Sequence, residues 1–424
     1  MPTTLKANDV GINLEIAAPP GWTFAAGDTI IGNVVRRQPI VAPEAIVRLA
    51  LVGRVKTKIT IKRGNNNRSV YRGRWDLLGE TEQTIFRGPV HLPPESAESL
   101  TWPFEVPIPT SPAPSVLLGH CSEESFLPLN KESVAYQPLP GTFFSSRTGW
   151  NTVSEGFVEY YLQAELRYNR GGSWDIRNAT CPITLRQPSQ PPLLDNDLGY
   201  RHVPMSAKSQ RLIPGMEDAD LSFKQKTQKL FGSSKVPEFH FMLDVTFPRR
   251  VQFDNPSPIP FIIGIRPDEV RTTDSIQDVV QTIQLNWLRL KIKTNTVVLA
   301  PGNFDPTHPH TDSQPEDYHL GLERLFRRLE HPITFTTGKG NEPVNIGEMF
   351  QLVLRTDGLY TRGARLAPVP RIQPDFVTYN IRRSNALSWE ISLTVAGEDL
   401  TFKGSSELEI LGDRDLEQFQ GSSS

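Results

Sequence analysis

The residues best suited to chemistry lie in one cationic run. Between positions 54 and 74 the chain carries Arg54, Lys56, Lys58, Lys62, Arg63, Arg68, Arg72 and Arg74, and no acid. Guanidinium and ammonium groups gathered this way suit phosphorylated or acidic tails, or an anionic lipid surface. The same run also fits a solvated hairpin whose lysines keep an edge strand from pairing. His120-Cys121 places a base beside a thiol, but no partner at a fixed spacing supports a nucleophile, and a free loop thiol is the simpler reading. His308, His310 and His319, with Asp305 and Asp312, could ligate a metal. HPHTD lacks the spacing that a helix or knuckle supplies, so loop histidines are the simpler reading there too. GxSxG, HExxH and CxxC are absent, and Gly338-Lys339-Gly340 has no following helix to aim its dipoles at phosphate. No catalytic residue, cofactor or metal is expected.

Strands must position that run. In Val55 to Lys62 the odd positions are Val, Thr, Ile and Ile and the even ones Lys, Lys, Thr and Lys. Two-residue alternation predicts one buried face and a lysine row in water. Trp22 to Val35 has the same grammar. Gly27-Asp28 is turn chemistry, and Ile30 and Val34 share a face with Gly32 between them, where a neighbour could approach closely. Pro103 in Trp102-Pro103-Phe104-Glu105-Val106 puts that strand at an edge or bulge. Residues 111–156 read as a long irregular region. Val158, Tyr160, Leu162, Ala164, Leu166 and Tyr168 then face one way, and Glu159, Gln163, Glu165 and Arg167 the other. About seven strands over residues 8–188 suit an immunoglobulin-like sandwich.

Residues 189–236 read as a polar linker with at most one short element and a basic end at Lys224, Lys226 and Lys229. A second sandwich is expected over 237–412. Phe239, Phe241, Leu243, Val245 and Phe247 open it, and Phe350–Leu354, Val377–Ile381, Trp389–Val395 and Leu408–Ile410 complete it. The apolar parity switches at Trp287-Leu288, where a β-bulge would keep both halves on the core. Leu322, Leu325, Phe326 and Leu329 fall at helical spacing beside Arg324, Arg327 and Arg328. They form either a basic amphipathic helix lying on a membrane or a short helix packed on the sandwich rim. Residues 413–424 read as a flexible tail. The fold class is therefore all-β, two sandwiches in tandem with one short helix inserted in the second.

Composition agrees with that architecture. The 424 residues include 37 Pro and 30 Gly, and the formal net charge of −2 gives no global pull toward nucleic acid. Two cysteines, Cys121 and Cys181, are too few for a disulfide scaffold and point to a reducing compartment. With neither a signal layout nor an apolar run of membrane length, a soluble cytoplasmic protein is expected. Asn67-Arg68-Ser69 and Asn178-Ala179-Thr180 are then chance matches to the glycosylation pattern.

The order of landmarks resembles the arrestin superfamily, and in particular the arrestin-like proteins of fungi. The matching stretches are Gly27–Gly32, Ile46–Gly53, Leu92-Pro93-Pro94, Trp102–Pro107, Leu139-Pro140-Gly141-Thr142-Phe143 and Val158–Ala164. Val245-Thr246-Phe247-Pro248 followed by Pro258-Ile259-Pro260-Phe261 looks like the opening of the second arrestin domain. The resemblance implies two arrestin-type sandwiches and a non-enzymatic adaptor or scaffold. Such an adaptor binds cytoplasmic parts of membrane proteins and directs their endocytosis, signalling or ubiquitin-dependent regulation. It would lie in the cytoplasm and peripherally at the plasma membrane or endosomes. Many fungal members recruit a HECT-type ubiquitin ligase through Pro-Pro-x-Tyr, read as polyproline. Here the Pro-Pro pairs continue as Gly-Trp, Glu-Ser and Leu-Leu, so recruitment would be indirect or absent. Receptor-binding arrestins also carry paired first-strand lysines and a buried arginine. This chain has only Lys6 and Cys181-Pro182 in those places, so the resemblance does not extend to phosphate-triggered activation. A retromer- or coat-like structural subunit with the same double sandwich is the alternative.

Overall fold

A computed structural model describes residues 4–413, except 9–10, 65–66, 80, 95–97, 195–196, 217–235, 304, 306 and 339–340. The chain is all-β and forms two compact units. The first comprises residues 1–188, 295–314 and 376–383; the second comprises 189–294, 315–375 and 384–424. Each has its own apolar core.

The first unit opens with β1 (Ala7–Asn8), β2 (Asn13–Ile16), β3 (Thr23–Phe24) and β4 (Thr29–Arg36). The long β5 (Ile40–Arg63) follows, then β6 (Asn67–Asp76), β7 (Gln83–Leu92) and β8 (Leu100–Pro107). The expected irregular region holds two 3-10 turns, the helix α1 (Lys131–Tyr136) and β9 (Phe143–Thr148). Then come β10 (Thr152–Arg170) and β11 (Ser173–Leu185). The larger sheet runs β1-β11-β10-β5-β6, with β3 beside β11, β9 beside β10 and β7 beside the first half of β5. The smaller sheet is β2-β4-β8. The strands number more than seven because short edge pieces pair where no alternation is visible.

Local chemistry explains the landmark stretches. Asp28 accepts the Ala25 N–H at 2.7 Å, closing the turn expected there. Gly32 lies opposite Phe104, and a Cβ at Gly32 would come 2.6 Å from the Phe104 ring. That is the close approach the sequence leaves room for. β8 ends its sheet, as Pro103 requires. Tyr160, fully buried, donates its hydroxyl to Pro140 O at 2.7 Å, and Thr142 Oγ1 accepts the Leu185 N–H, so Pro140–Thr142 ties down two strands. The inner face of β10 is buried from Val158 to Tyr168, as its alternation predicts.

In the second unit the expected linker begins with a strand, β12 (Leu198–Lys208), paired over its whole length with β13 (Glu238–Pro248). Lys224, Lys226 and Lys229 and the tail 414–424 lie outside the described residues. β14 (Arg250–Gln252), β15 (Ile262–Pro267), β16 (Thr282–Ala300), β17 (His310–His319), α2 (Glu323–Phe326) and β18 (Ile333–Thr336) follow. Next are β19 (Val344–Asn345), α3 (Ile346–Phe350), β20 (Leu352–Arg355), β21 (Gly358–Thr361) and β22 (Ala364–Arg365). β23 (Phe376–Val377), which lies in the first unit, is followed by β24 (Ile381–Val395) and β25 (Glu398–Leu411). The sheets are β12-β13-β15-β19, β14-β25-β24-β16-β17 and β20-β21-β22, with β18 beside β16 and β23 beside β24. Ile283 and Leu285, then Leu288, Leu290 and Ile292, are all buried, and the half-buried pair Asn286-Trp287 absorbs the parity change. Three short helices thus replace the single one expected among the described residues. Val377–Ile381 belongs to the first unit rather than the second, because Tyr379 and Ile381 bury in the first core.

Candidate anion-binding surface

β5 and β6 bring the cationic run together by register. Lys56 faces Arg74, Lys58 faces Arg72 and Lys62 faces Arg68 across the hairpin, so these six side chains share one face. The opposite face is buried as expected: Val55, Thr57 and Ile59 are at most 1 % exposed. Thr57 is satisfied there by Leu299 O at 2.5 Å and by Asn380 Nδ2 at 3.0 Å. Residues 295–314 and 376–383, far away in sequence, therefore cover this half of the sheet.

The lysine row in water is a partial misreading. β5 is not an edge strand; β10 pairs along its other side and sets acids against the cations. Glu159 takes Arg54 Nε at 2.6 Å, Lys56 Nζ at 2.8 Å and the Thr4 N–H at 2.8 Å. Glu155 lies 3.7 Å from Lys58 Nζ. Lys56 is only 9 % exposed. Burial pushes the Glu159 carboxyl up, but Lys56, the Thr4 amide and Arg54 together hold it below its ordinary value. Lys56 is also held below its ordinary value: burial, helped by Arg54 and Arg74, outweighs its single acid. The difference is one of partners, three donors on the carboxylate against one acceptor for the ammonium.

The far end of the hairpin differs. Lys62, Arg68 and Arg72 are exposed and have no acid within ion-pair distance among the described residues. Arg63 donates to the Tyr71 hydroxyl at 3.3 Å, and Arg74 donates from Nε and Nη2 to Asp76 Oδ1 at 3.0 and 2.9 Å. Like charges opposite each other on a sheet repel, which an arriving anion would relieve. The candidate surface thus narrows from eight residues to Lys62, Arg68 and Arg72. The sequence did not show Glu155 and Glu159 as its boundary, nor Trp150 and Asn151, which sit at the same end. Their signal was a Gly-Trp-Asn turn between two alternating segments.

The remaining candidates have structural occupations. His120 stacks on Trp75 with centroids 3.6 Å apart and holds Glu124 at 2.8 Å; Tyr379 stacks on the same indole at 4.5 Å. Partial burial, with Glu123 and Glu124 beside it, pushes the Cys121 thiol up, and burial does the same for Cys181 against the pull of Lys6. Both thiols should therefore alkylate with iodoacetamide at neutral pH more slowly than cysteine in an unstructured peptide. A faster rate at Cys121 would identify a stabilised thiolate. His308 pairs with Asp305 at 2.7 Å, and His310 stacks on Tyr71 with centroids 3.6 Å apart. Asp312 accepts from Ser154 at 2.6 Å, and His319 belongs to the second unit. No group of three metal-ligating side chains occurs among the described residues.

The stretch 322–329 forms only the single helical turn α2. Leu322 and Phe326 are buried, and Leu325 and Leu329 pack against the second core. Arg327 and Arg328 are exposed, while the four apolar side chains of the stretch pack into the second core. Among the described residues no helix is long and apolar enough to cross a membrane.

Fold and surface define a β-sandwich protein of two units with a cationic end on its largest sheet. No protein-family model matches the chain, and no curated protein matches it in sequence.

Proposed function

We propose that the chain is a non-catalytic adaptor of the arrestin-like kind, which binds cytoplasmic parts of membrane proteins and directs their trafficking. The observation that carries this reading is the trio Lys62, Arg68 and Arg72: three exposed cations on one face of the hairpin, while Arg54, Lys56, Lys58 and Arg74 each lie beside an acid. Preorganised cations of this kind recognise carboxylates and phosphates without a deep pocket. Ligase recruitment is not part of the proposal, since Pro-Pro-x-Tyr is missing.

A fluorescence-anisotropy titration with acidic and phosphorylated cytoplasmic-tail peptides tests it. The triple variant K62E/R68E/R72E should bind at least about tenfold more weakly, and wild-type binding should fall as salt rises. Salt-insensitive binding unchanged by the three substitutions would remove the cationic surface from the function. A stoichiometric complex surviving gel filtration would replace the adaptor by a coat-like subunit.

A further inference from the structure

Trp150 is 91 % exposed. A tryptophan left in water is unusual, because its ring is among the largest apolar surfaces a side chain can bury. It sits in the turn 149–151 between β9 and β10, and that turn is tied to the cationic hairpin. The Lys62 N–H donates to Asn151 O at 2.8 Å, and Thr152 lies opposite Ile61. The end of the sheet therefore combines an exposed indole with Lys62, Arg68 and Arg72. Asn303 donates to Val70 O at 3.2 Å at the edge of β6, and Asp305, two residues on, is engaged by Thr307 and His308.

We propose that this end of the first unit docks on an anionic phospholipid bilayer, with Trp150 at the headgroup level and Lys62, Arg68 and Arg72 on lipid phosphates and carboxylates. The proposal rests on the reading that these cations hold anions, and adds the bilayer as what presents them. Two observations favour a bilayer over a peptide. The apolar group stands at the tip of a turn instead of lining a groove, and indole is the side chain suited to a boundary wet on one side. Cations and an apolar anchor together also supply the two signals that stable peripheral attachment needs.

Flotation of the full chain with phosphatidylcholine vesicles, with and without phosphatidylserine, tests the proposal. The wild type should float only with the anionic vesicles. W150A should lower that binding about tenfold, and K62E/R68E/R72E by more than about tenfold. W22A, which removes an exposed tryptophan ahead of β3, should bind as the wild type does. The blue shift of protein fluorescence on adding anionic vesicles should disappear in W150F. Circular dichroism should match in all variants, because every substituted side chain is exposed. Equal binding to neutral vesicles, or binding indifferent to W150A, overturns the proposal. Acidic peptides bound through the three cations without vesicle binding would overturn it and leave the adaptor reading standing. Vesicle binding without peptide binding would do the reverse.

Discussion

Replacing Glu159 by glutamine should lower the stability of the first unit by about 3 kcal/mol, the low end of what removing one partner from a buried ion pair costs. Glu159 is 6 % exposed and pairs with both Arg54 and Lys56, while also satisfying the Thr4 N–H. The amide keeps the shape and loses the charge, leaving two cations side by side. Their partial access to water keeps the cost at the low end. The double variant E159Q/K56M should recover much of the loss, since it removes a cation that no longer has a partner.

The pH dependence has a definite sign. The folded carboxyl of Glu159 titrates below its ordinary value of 4.5. Its contribution is therefore complete above that value and is lost as pH falls through the folded one. Wild type and E159Q should differ most at neutral pH and converge as the pH falls from 4.5 through the lower value of the folded carboxyl. Urea unfolding at neutral and acidic pH measures this. A difference below about 1 kcal/mol at neutral pH, or one that grows in acid, would sink the assignment.

Replacing Trp389 by alanine should cost the second unit about 3–5 kcal/mol, the range for deleting a large buried aromatic side chain. The indole is 1 % exposed, lies 4.5 Å from the Phe247 ring and 6.0 Å from that of Phe261, and covers Gly404 on the next strand. Its N–H has no hydrogen-bond partner among the described residues, so the loss is one of packing. Gly404 supplies an internal check. A Cβ there would come 2.5 Å from the indole Nε1 and Cζ2, so G404A should cost about 1–3 kcal/mol by overpacking. With Trp389 already removed, G404A should cost almost nothing. Additive losses would mean that ring and glycine do not constrain each other.

Much of this fold is legible in the residues themselves. A strand repeats every two residues, so Val158 to Tyr168 and Phe239 to Phe247 announce their buried faces without help from the rest of the chain. Turn chemistry is equally local, as Gly27-Asp28 shows. Strands of two residues, such as β19 and β22, are invisible because their hydrogen bonds come from partners elsewhere in the chain and leave no periodic trace. The helical stripe of Leu322, Leu325, Phe326 and Leu329 marks a buried apolar cluster correctly. Its length is set by the core it packs on, which leaves a single helical turn.

The candidate surface divides along the same line. Sequence by itself assembled the cations, because the two arms of a hairpin are neighbours in the chain and their register follows from a short turn. Which of those cations remain free was decided only by the tertiary structure. Glu159 lies 105 residues beyond Arg54, and β10 carries it and Glu155 against Arg54, Lys56 and Lys58. Electrostatic pairing acts through space, and the chain reaches that geometry only once the sheet has formed. The same holds for Thr57, buried and satisfied by Leu299 and Asn380, and for Trp150, whose place beside Lys62 is fixed by one backbone hydrogen bond across strands.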